Sequence, residues 1–157
     1  MEPRLSYVIG RLDRVLRRRL SAAVEPVGLT LPAYTALSVL RAQDGLSNAR
    51  LARRSLVTPQ SMSEVLSVLV EQGYVRRSAS PGHGRVIRIE LTKAGSRALE
   101  RCDRAVDDVE REMLADLDAG EAAGLREALI RCGRTLERNG AERAGILKSA
   151  NEKDSAA

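Results

Sequence analysis

The sequence predicts a mostly α-helical chain interrupted by one small β-hairpin. Three observations carry that expectation. Apolar residues recur every three or four positions over most of the 157 residues. Hydroxyl or acidic capping residues stand where most of the periodic stretches begin. Only between residues 74 and 91 does the period fall to two.

The first helix runs from Leu5, with Val8, Ile9, Leu12, Val15, Leu16 and Leu20 on one side and arginines between them, and ends near Pro26-Val27-Gly28. Thr30 caps a second helix with Pro32 in its first turn and Tyr34, Leu37 and Leu40 as buried positions, stopped by Asp44-Gly45. Ser47 caps a short third helix carrying Leu51 and Ala52 that ends at Arg54-Ser55. Thr58-Pro59 restarts the helix, since a capping hydroxyl precedes a residue whose fixed φ suits the first turn. The fourth helix buries Met62, Val65, Leu66 and Leu69 and closes at Gly73.

Tyr74–Ser78 and Val86–Leu91 then read as paired strands joined by Ser80-Pro81-Gly82-His83-Gly84, with Ile87, Ile89 and Leu91 facing inward and Arg88 and Glu90 outward. Thr92 caps a long fifth helix with a stripe at Leu99, Cys102, Val106, Val109, Met113 and Leu117. Asp118-Ala119-Gly120-Glu121 forms a capping box for a sixth, whose stripe is Leu125, Leu129, Cys132 and Leu136. Stripes of this length call for a partner helix, and hence for a dimer. The tail after Asn139-Gly140 is polar and small and is expected to fray.

Composition narrows the function. Lysine plus arginine number 26 against 21 acids, a net charge of +5, and all but Lys93, Lys148 and Lys153 are arginine. The excess is +3 over residues 1–45 and +4 over 46–92, against −2 over 93–157. A polyanion would therefore meet the front and middle of the chain. Tyr7, Tyr34 and Tyr74 are the only aromatics, too few for the stacking platform of a single-strand binder. One histidine, His83, excludes a His-rich zinc or facial-triad iron site, so neither metal nor cofactor is expected. Cys102 and Cys132 lack CxxC spacing and read as reduced core thiols on the two stripes. Apolar runs fall short of a membrane span and the N-terminus lacks a signal pattern, so a cytoplasmic protein with no membrane partner is expected.

Two short helices joined by a tight turn and followed by a hairpin make a winged helix-turn-helix. A rotation of about 100° per residue sets Gln60, Glu64 and Ser67 opposite the apolar stripe of the fourth helix, with Ser61 and Ser63 on its flanks. Such side chains can read base edges in a major groove wide enough for one helix. Thr58 and Ser47 stand at helix N-termini, where phosphate is favoured. Arg50, Arg53 and Arg54 on the third helix and Arg77, Arg85 and Arg88 on the hairpin supply charge for backbone or minor groove. A polar helix face alone is more often merely solvated. The turn spacing, the Thr-Pro restart and the arginine-bearing hairpin together favour DNA.

Residues 28–95, from Gly28-Leu29-Thr30-Leu31-Pro32 through Glu71-Gln72-Gly73-Tyr74-Val75 to Leu91-Thr92-Lys93-Ala94-Gly95, closely resemble the multiple-antibiotic-resistance regulator (MarR) family. The outer helices extend the resemblance over roughly 135 residues. It implies a two-fold homodimer joined through N- and C-terminal helices, binding palindromic double-stranded DNA to regulate transcription, with a small-molecule pocket between the dimer helices and each DNA-binding lobe. The organisation it implies is a helical dimerisation region over 1–27 and 93–138, a DNA-binding lobe over 28–92 and a tail over 139–157. Two positions depart from the family pattern. His83 stands where an Asp usually precedes the wing arginine, here Arg85; it is either a phosphate contact or an ordinary loop residue. Glu64 stands where many members are basic, and either accepts from a cytosine amino group or forms an intramolecular salt bridge.

Tyr7 and Arg11, four apart on the first helix, and Tyr34 on the second are candidates to hold a phenolic carboxylate, with arginine on the acid. Solvated Arg11 and packed tyrosines are the alternative. No G-x-S-x-G, P-loop or GxGxxG is present, and His83 in a glycine loop has no nearby orienting acid, so an enzyme is not expected. The remaining alternative is a winged helix that binds protein instead of DNA.

Overall fold

The computed structural model describes residues 2–79 and 87–154, with side chains described to residue 139. The chain divides into two compact units, residues 1–112 and 113–157.

In the first unit α1 (Leu5–Val24) ends in one turn of 3-10 helix, Glu25–Val27, closed by Gly28 at φ +79. Next come α2 (Leu31–Ala42), α3 (Asn48–Arg54) and α4 (Pro59–Glu71). Then follow β1 (Val75–Ala79), β2 (Ile87–Leu91) and α5 (Lys93–Met113). The predicted caps are in place: Thr30 accepts from the Ala33 amide, Ser47 from Arg50, Thr58 from Ser61 and Thr92 from Gly95. Each satisfies an N–H that the helix itself leaves open.

One apolar core holds this unit together. Leu37 and Leu40 of α2, Leu51 of α3, Met62, Leu66 and Leu69 of α4, Ile89 of β2 and Leu99 and Cys102 of α5 are essentially inaccessible. Leucine dominates because no Phe or Trp is present to fill the space. Burying each such side chain is worth about 1.5–3 kcal/mol.

The strands pair antiparallel with Arg77 opposite Ile89, and Leu46 adds an isolated bridge to Ile89, so the wing grows from the core. Ile87 lies on the predicted inward face but is not buried there. It shares that face with Ile89 but is 55% exposed, at the outer end of the strand pair opposite Ala79. The fifth helix stops at Met113 and Leu117 lies in the turn beyond it.

Thr92 and Gly95 weld the wing to α5. The Thr92 hydroxyl donates toward the Gly73 and Tyr74 carbonyls, at 2.7 and 3.0 Å. A Cβ on Gly95 would stand 2.1 Å from the Tyr74 oxygen. Only glycine lets the helix come this close.

In the second unit α6 (Ala119–Asp154) opens with the predicted capping box. Asp118 accepts from the Gly120 and Glu121 amides, and Glu121 accepts from the Asp118 amide. The helix continues through Asn139-Gly140 to Asp154. The residues that follow are mainly good helix formers and no proline intervenes. Cys132 is exposed on α6, not a core residue, whereas Cys102 is buried as predicted. Among the described residues no single helix is long and apolar enough to cross a membrane.

Candidate nucleic-acid interface

Three elements converge around the first turns of α4. The chain leaves α3 at Ser55 and turns through Leu56, at φ +56, into the Thr58 cap, with the Val57 amide donating to the Ala52 carbonyl at 3.1 Å. This tight turn fixes the direction in which α4 leaves α3. The buried side of α4 is Met62, Leu66 and Leu69, with Val65 half-buried. Gln60, Ser61, Ser63, Glu64 and Ser67 are all exposed, as predicted from the rotation along the helix.

Local hydrogen bonds constrain these polar groups. The Ser63 hydroxyl donates to the Pro59 carbonyl at 2.9 Å, and Ser67 donates to the Ser63 carbonyl at 2.9 Å. Thr58 donates to the Ser61 hydroxyl at 3.0 Å while accepting that residue's amide. Glu64 makes no hydrogen bond or ion pair with any other described residue.

Asn48, at the start of α3, is a contributor that sequence reasoning missed. Its Nδ2 donates to the Pro59 carbonyl at 3.1 Å and to the Ser63 hydroxyl at 2.8 Å, clamping α3 to the first turn of α4. Its Oδ1 is buried without a partner among the described residues. Nothing local marks Asn48, because its partners lie 11 and 15 residues on.

Arg77 is exposed on β1 and, by register, on the face that carries Val75 and Ile89. It lines a cleft of about 200 Å³ with Asn48, Ser63, Leu66, Ile87 and Ile89. The cation thus stands beside α4. Arg76 and Arg88 occupy the opposite face of the hairpin. Arg76 pairs with Glu90 at 2.7 Å, and Ser78 donates to the same carboxylate at 2.6 Å. The Ser78 hydrogen bond, followed by Arg76, holds the Glu90 carboxyl below its ordinary range. Arg50, Arg53 and Arg54 are exposed on α3, and Ser47 at its cap is half-buried. His83 and Arg85 lie outside the described residues.

The residues considered for a small ligand separate. Tyr7 and Arg11 line one shallow cavity of about 240 Å³ on α1, together with Pro3, Val8, Leu12 and Val15. Tyr34 is not among them. Its hydroxyl donates to Asp103 of α5 at 3.0 Å, and Arg41 of α2 pairs with the same carboxylate. Burial first, then the bond to anionic Asp103, pushes the Tyr34 phenol up to about 12. This triad ties α2 to α5, and Asp103 had no signal in the sequence. Among the described residues no cluster of His, Cys, Asp and Glu can hold a metal ion.

The model of the MarR family matches residues 27–86. The chain is 39% identical over 129 residues to the HTH-type transcriptional repressor Rv2887 of Mycobacterium tuberculosis, covering 82% of this chain and 93% of the relative. A solved structure of Rv2887 in complex with DNA matches with a TM-score of 0.70 at 35% identity, covering 84% of this chain and 99% of the other. The structure of Rv2887 in complex with salicylic acid matches with a TM-score of 0.69 at 37% identity, covering 83% and 97%.

Proposed function

The chain belongs to the MarR family of transcription regulators, and we infer that it acts as a homodimeric repressor in the cytoplasm, binding a palindromic duplex operator and modulated by a small aromatic acid. One observation carries the DNA-binding part. The Thr58 cap and the turn at Leu56 present an exposed polar face of α4 beside a wing whose Arg77 stands next to it. A helix so presented, with a flanking cation, suits a major groove bordered by phosphates. The DNA complex of Rv2887 supports this assignment. Ser47, Arg53, Thr58, Gln60, Ser61, Ser63, Glu64 and Arg77 are the proposed contacts, with Arg85 beyond the described residues.

The dimer part is supported by uncovered apolar faces. Leu5, Val8, Ile9, Leu12 and Val15 of α1 are 40–69% exposed, and Leu125, Leu129, Ile130 and Leu136 of α6 are 38–74% exposed. Surfaces of that kind rarely remain against water in a monomer. For the ligand, Arg11 would take the carboxylate and Tyr7 the ring in the α1 cavity. The salicylic acid complex of Rv2887 supports that class of molecule.

The test is selection of tight-binding sequences from a random duplex pool, followed by titration of the winner at several salt concentrations and sedimentation of the complex. The expected result is an enriched inverted repeat, two chains per duplex and affinity that falls steeply with salt as arginines release counterions. No enrichment of any duplex would refute the reading and favour a protein-binding winged helix. For the ligand, salicylate should raise the melting temperature of the wild type and not of Arg11→Ala. An equal rise in both would remove Arg11 from the site.

A further inference from the structure

Given the DNA-binding reading, the remaining question is which base features α4 is built to recognise. The commonest specific contact in a major groove is an arginine or lysine on the O6 and N7 acceptors of guanine. Residues 58–73 contain neither cation. The hydroxyl protons that could replace them are largely directed elsewhere. Ser63 gives its proton to the Pro59 carbonyl and Ser67 to the Ser63 carbonyl. Thr58 gives its proton to Ser61. Asn48 uses its amide group on Pro59 and Ser63, so it cannot donate from the edge of the helix.

What remains outward is rich in acceptors. The Glu64 carboxylate lies near the centre of the exposed face with no bond to any other described residue. The Ser67 oxygen retains a lone pair on the same face. Only the Gln60 amide and the Ser61 hydroxyl still offer protons, and Gln60, with one donor and one acceptor arm, matches the N7 and N6 edge of adenine.

We propose that α4 reads its operator mainly through acceptors, with Glu64 as the specificity-determining residue that selects an exocyclic amino group, foremost that of cytosine. The reversed base pair presents guanine O6 and N7 to the same carboxylate. Two sets of lone pairs then face each other in a site stripped of water, and no proton is available to join them. The preference is therefore for one orientation of the pair and not for G·C content as such. Phosphate attraction is left to arginines on other elements, Arg50, Arg53 and Arg54 of α3 and Arg77 of β1, all exposed.

The experiment uses the full chain and a duplex selected from a random pool. Single atoms are then removed from one half-site: the amino group of each cytosine (2-pyrimidinone) or adenine (purine), and N7 of each guanine (7-deazaguanine). Loss of one cytosine amino group is expected to weaken wild-type binding by roughly tenfold. In Glu64→Ala the same deletion should cost nothing further, whereas 7-deazaguanine should change wild-type affinity by less than about twofold. A tenfold loss on 7-deazaguanine with silent amino deletions would overturn the proposal and leave DNA binding intact. So would Glu64→Ala retaining the full sensitivity at every base. Failure to enrich any duplex would overturn both readings together.

Discussion

Replacing Gly95 by alanine tests how the wing is joined to the helical scaffold. The added methyl would lie 2.1 Å from the Tyr74 carbonyl oxygen and 2.9 Å from a Leu91 methyl. An ordinary carbon-to-oxygen contact needs roughly 3.3 Å, so backbone must retreat by about 1 Å. The Tyr74 oxygen accepts from both the amide and the hydroxyl of Thr92, each at 3.0 Å, and such a retreat breaks both bonds. Two hydrogen bonds at about 1 kcal/mol each and an overpacking cost of about 1–3 kcal/mol outweigh the roughly 1 kcal/mol that alanine gains within a helix. The net expectation is a loss of about 2–4 kcal/mol, or roughly 5–15 °C in melting temperature.

Gly10→Ala is the control. Nothing lies within 4 Å of its methyl, and residue 10 falls on the side of α1 away from the apolar stripe. It should gain up to about 1 kcal/mol from propensity alone. The assay is urea unfolding followed by circular dichroism at equal protomer concentration, since a dimer's stability depends on it. Gly95→Ala within about 0.5 kcal/mol of wild type would refute the clash, and so would a gain matching that of Gly10→Ala. Because Tyr74 leads directly into β1, the same variant should also weaken DNA binding by displacing Arg77.

Tyr34 ionises near pH 12 against an ordinary value of 10, so the folded state holds the phenol proton more tightly than the unfolded chain. Its contribution is intact below pH 10 and lost as the pH rises through about 12, so wild type should lose stability relative to Tyr34→Phe across that window; a constant difference would refute the link. Leu56 is 87% exposed at φ +56, a backbone state that costs a side chain about 1–2 kcal/mol. Leu56→Gly should therefore raise the unfolding free energy by up to about 1 kcal/mol once glycine's greater unfolded entropy is subtracted, read as a higher urea midpoint, and a lower midpoint would contradict the strain. Cys102 is fully buried, and burial followed by the charge of Asp103 pushes its thiol up. Iodoacetamide at neutral pH should leave it unlabelled until the chain unfolds, and rapid native labelling would show that the core opens there.

Much of the fold was legible in the sequence because its signals are local. Thr30, Ser47, Thr58, Thr92 and Asp118 cap helices through atoms only two or three residues away, so the chemistry of a short segment suffices to place them. The exposed face of α4 follows from rotation about its axis, and the hairpin from its change of period. Where a pattern needed distant chain to interpret it, the expectation failed. Alternation put Ile87 on the right face of its strand but could not say how much of that face other elements cover. The stripe through Cys132 marked a helix face without showing what lies against it.

The composition and order of the chain thus determined a capped helix-turn-helix with a basic front, and an exposed polar face on α4 without lysine or arginine. Tertiary structure decided which protons that face retains and what its neighbours hold. Asn48 reaches forward to the first turn of α4, Tyr34 and Arg41 meet Asp103 from 69 and 62 residues away, and Arg77 comes to stand beside Ser63. The physical reason is range. Capping and periodicity act within one or two turns of backbone, whereas a hydrogen bond between distant residues exists only once packing has brought their elements together.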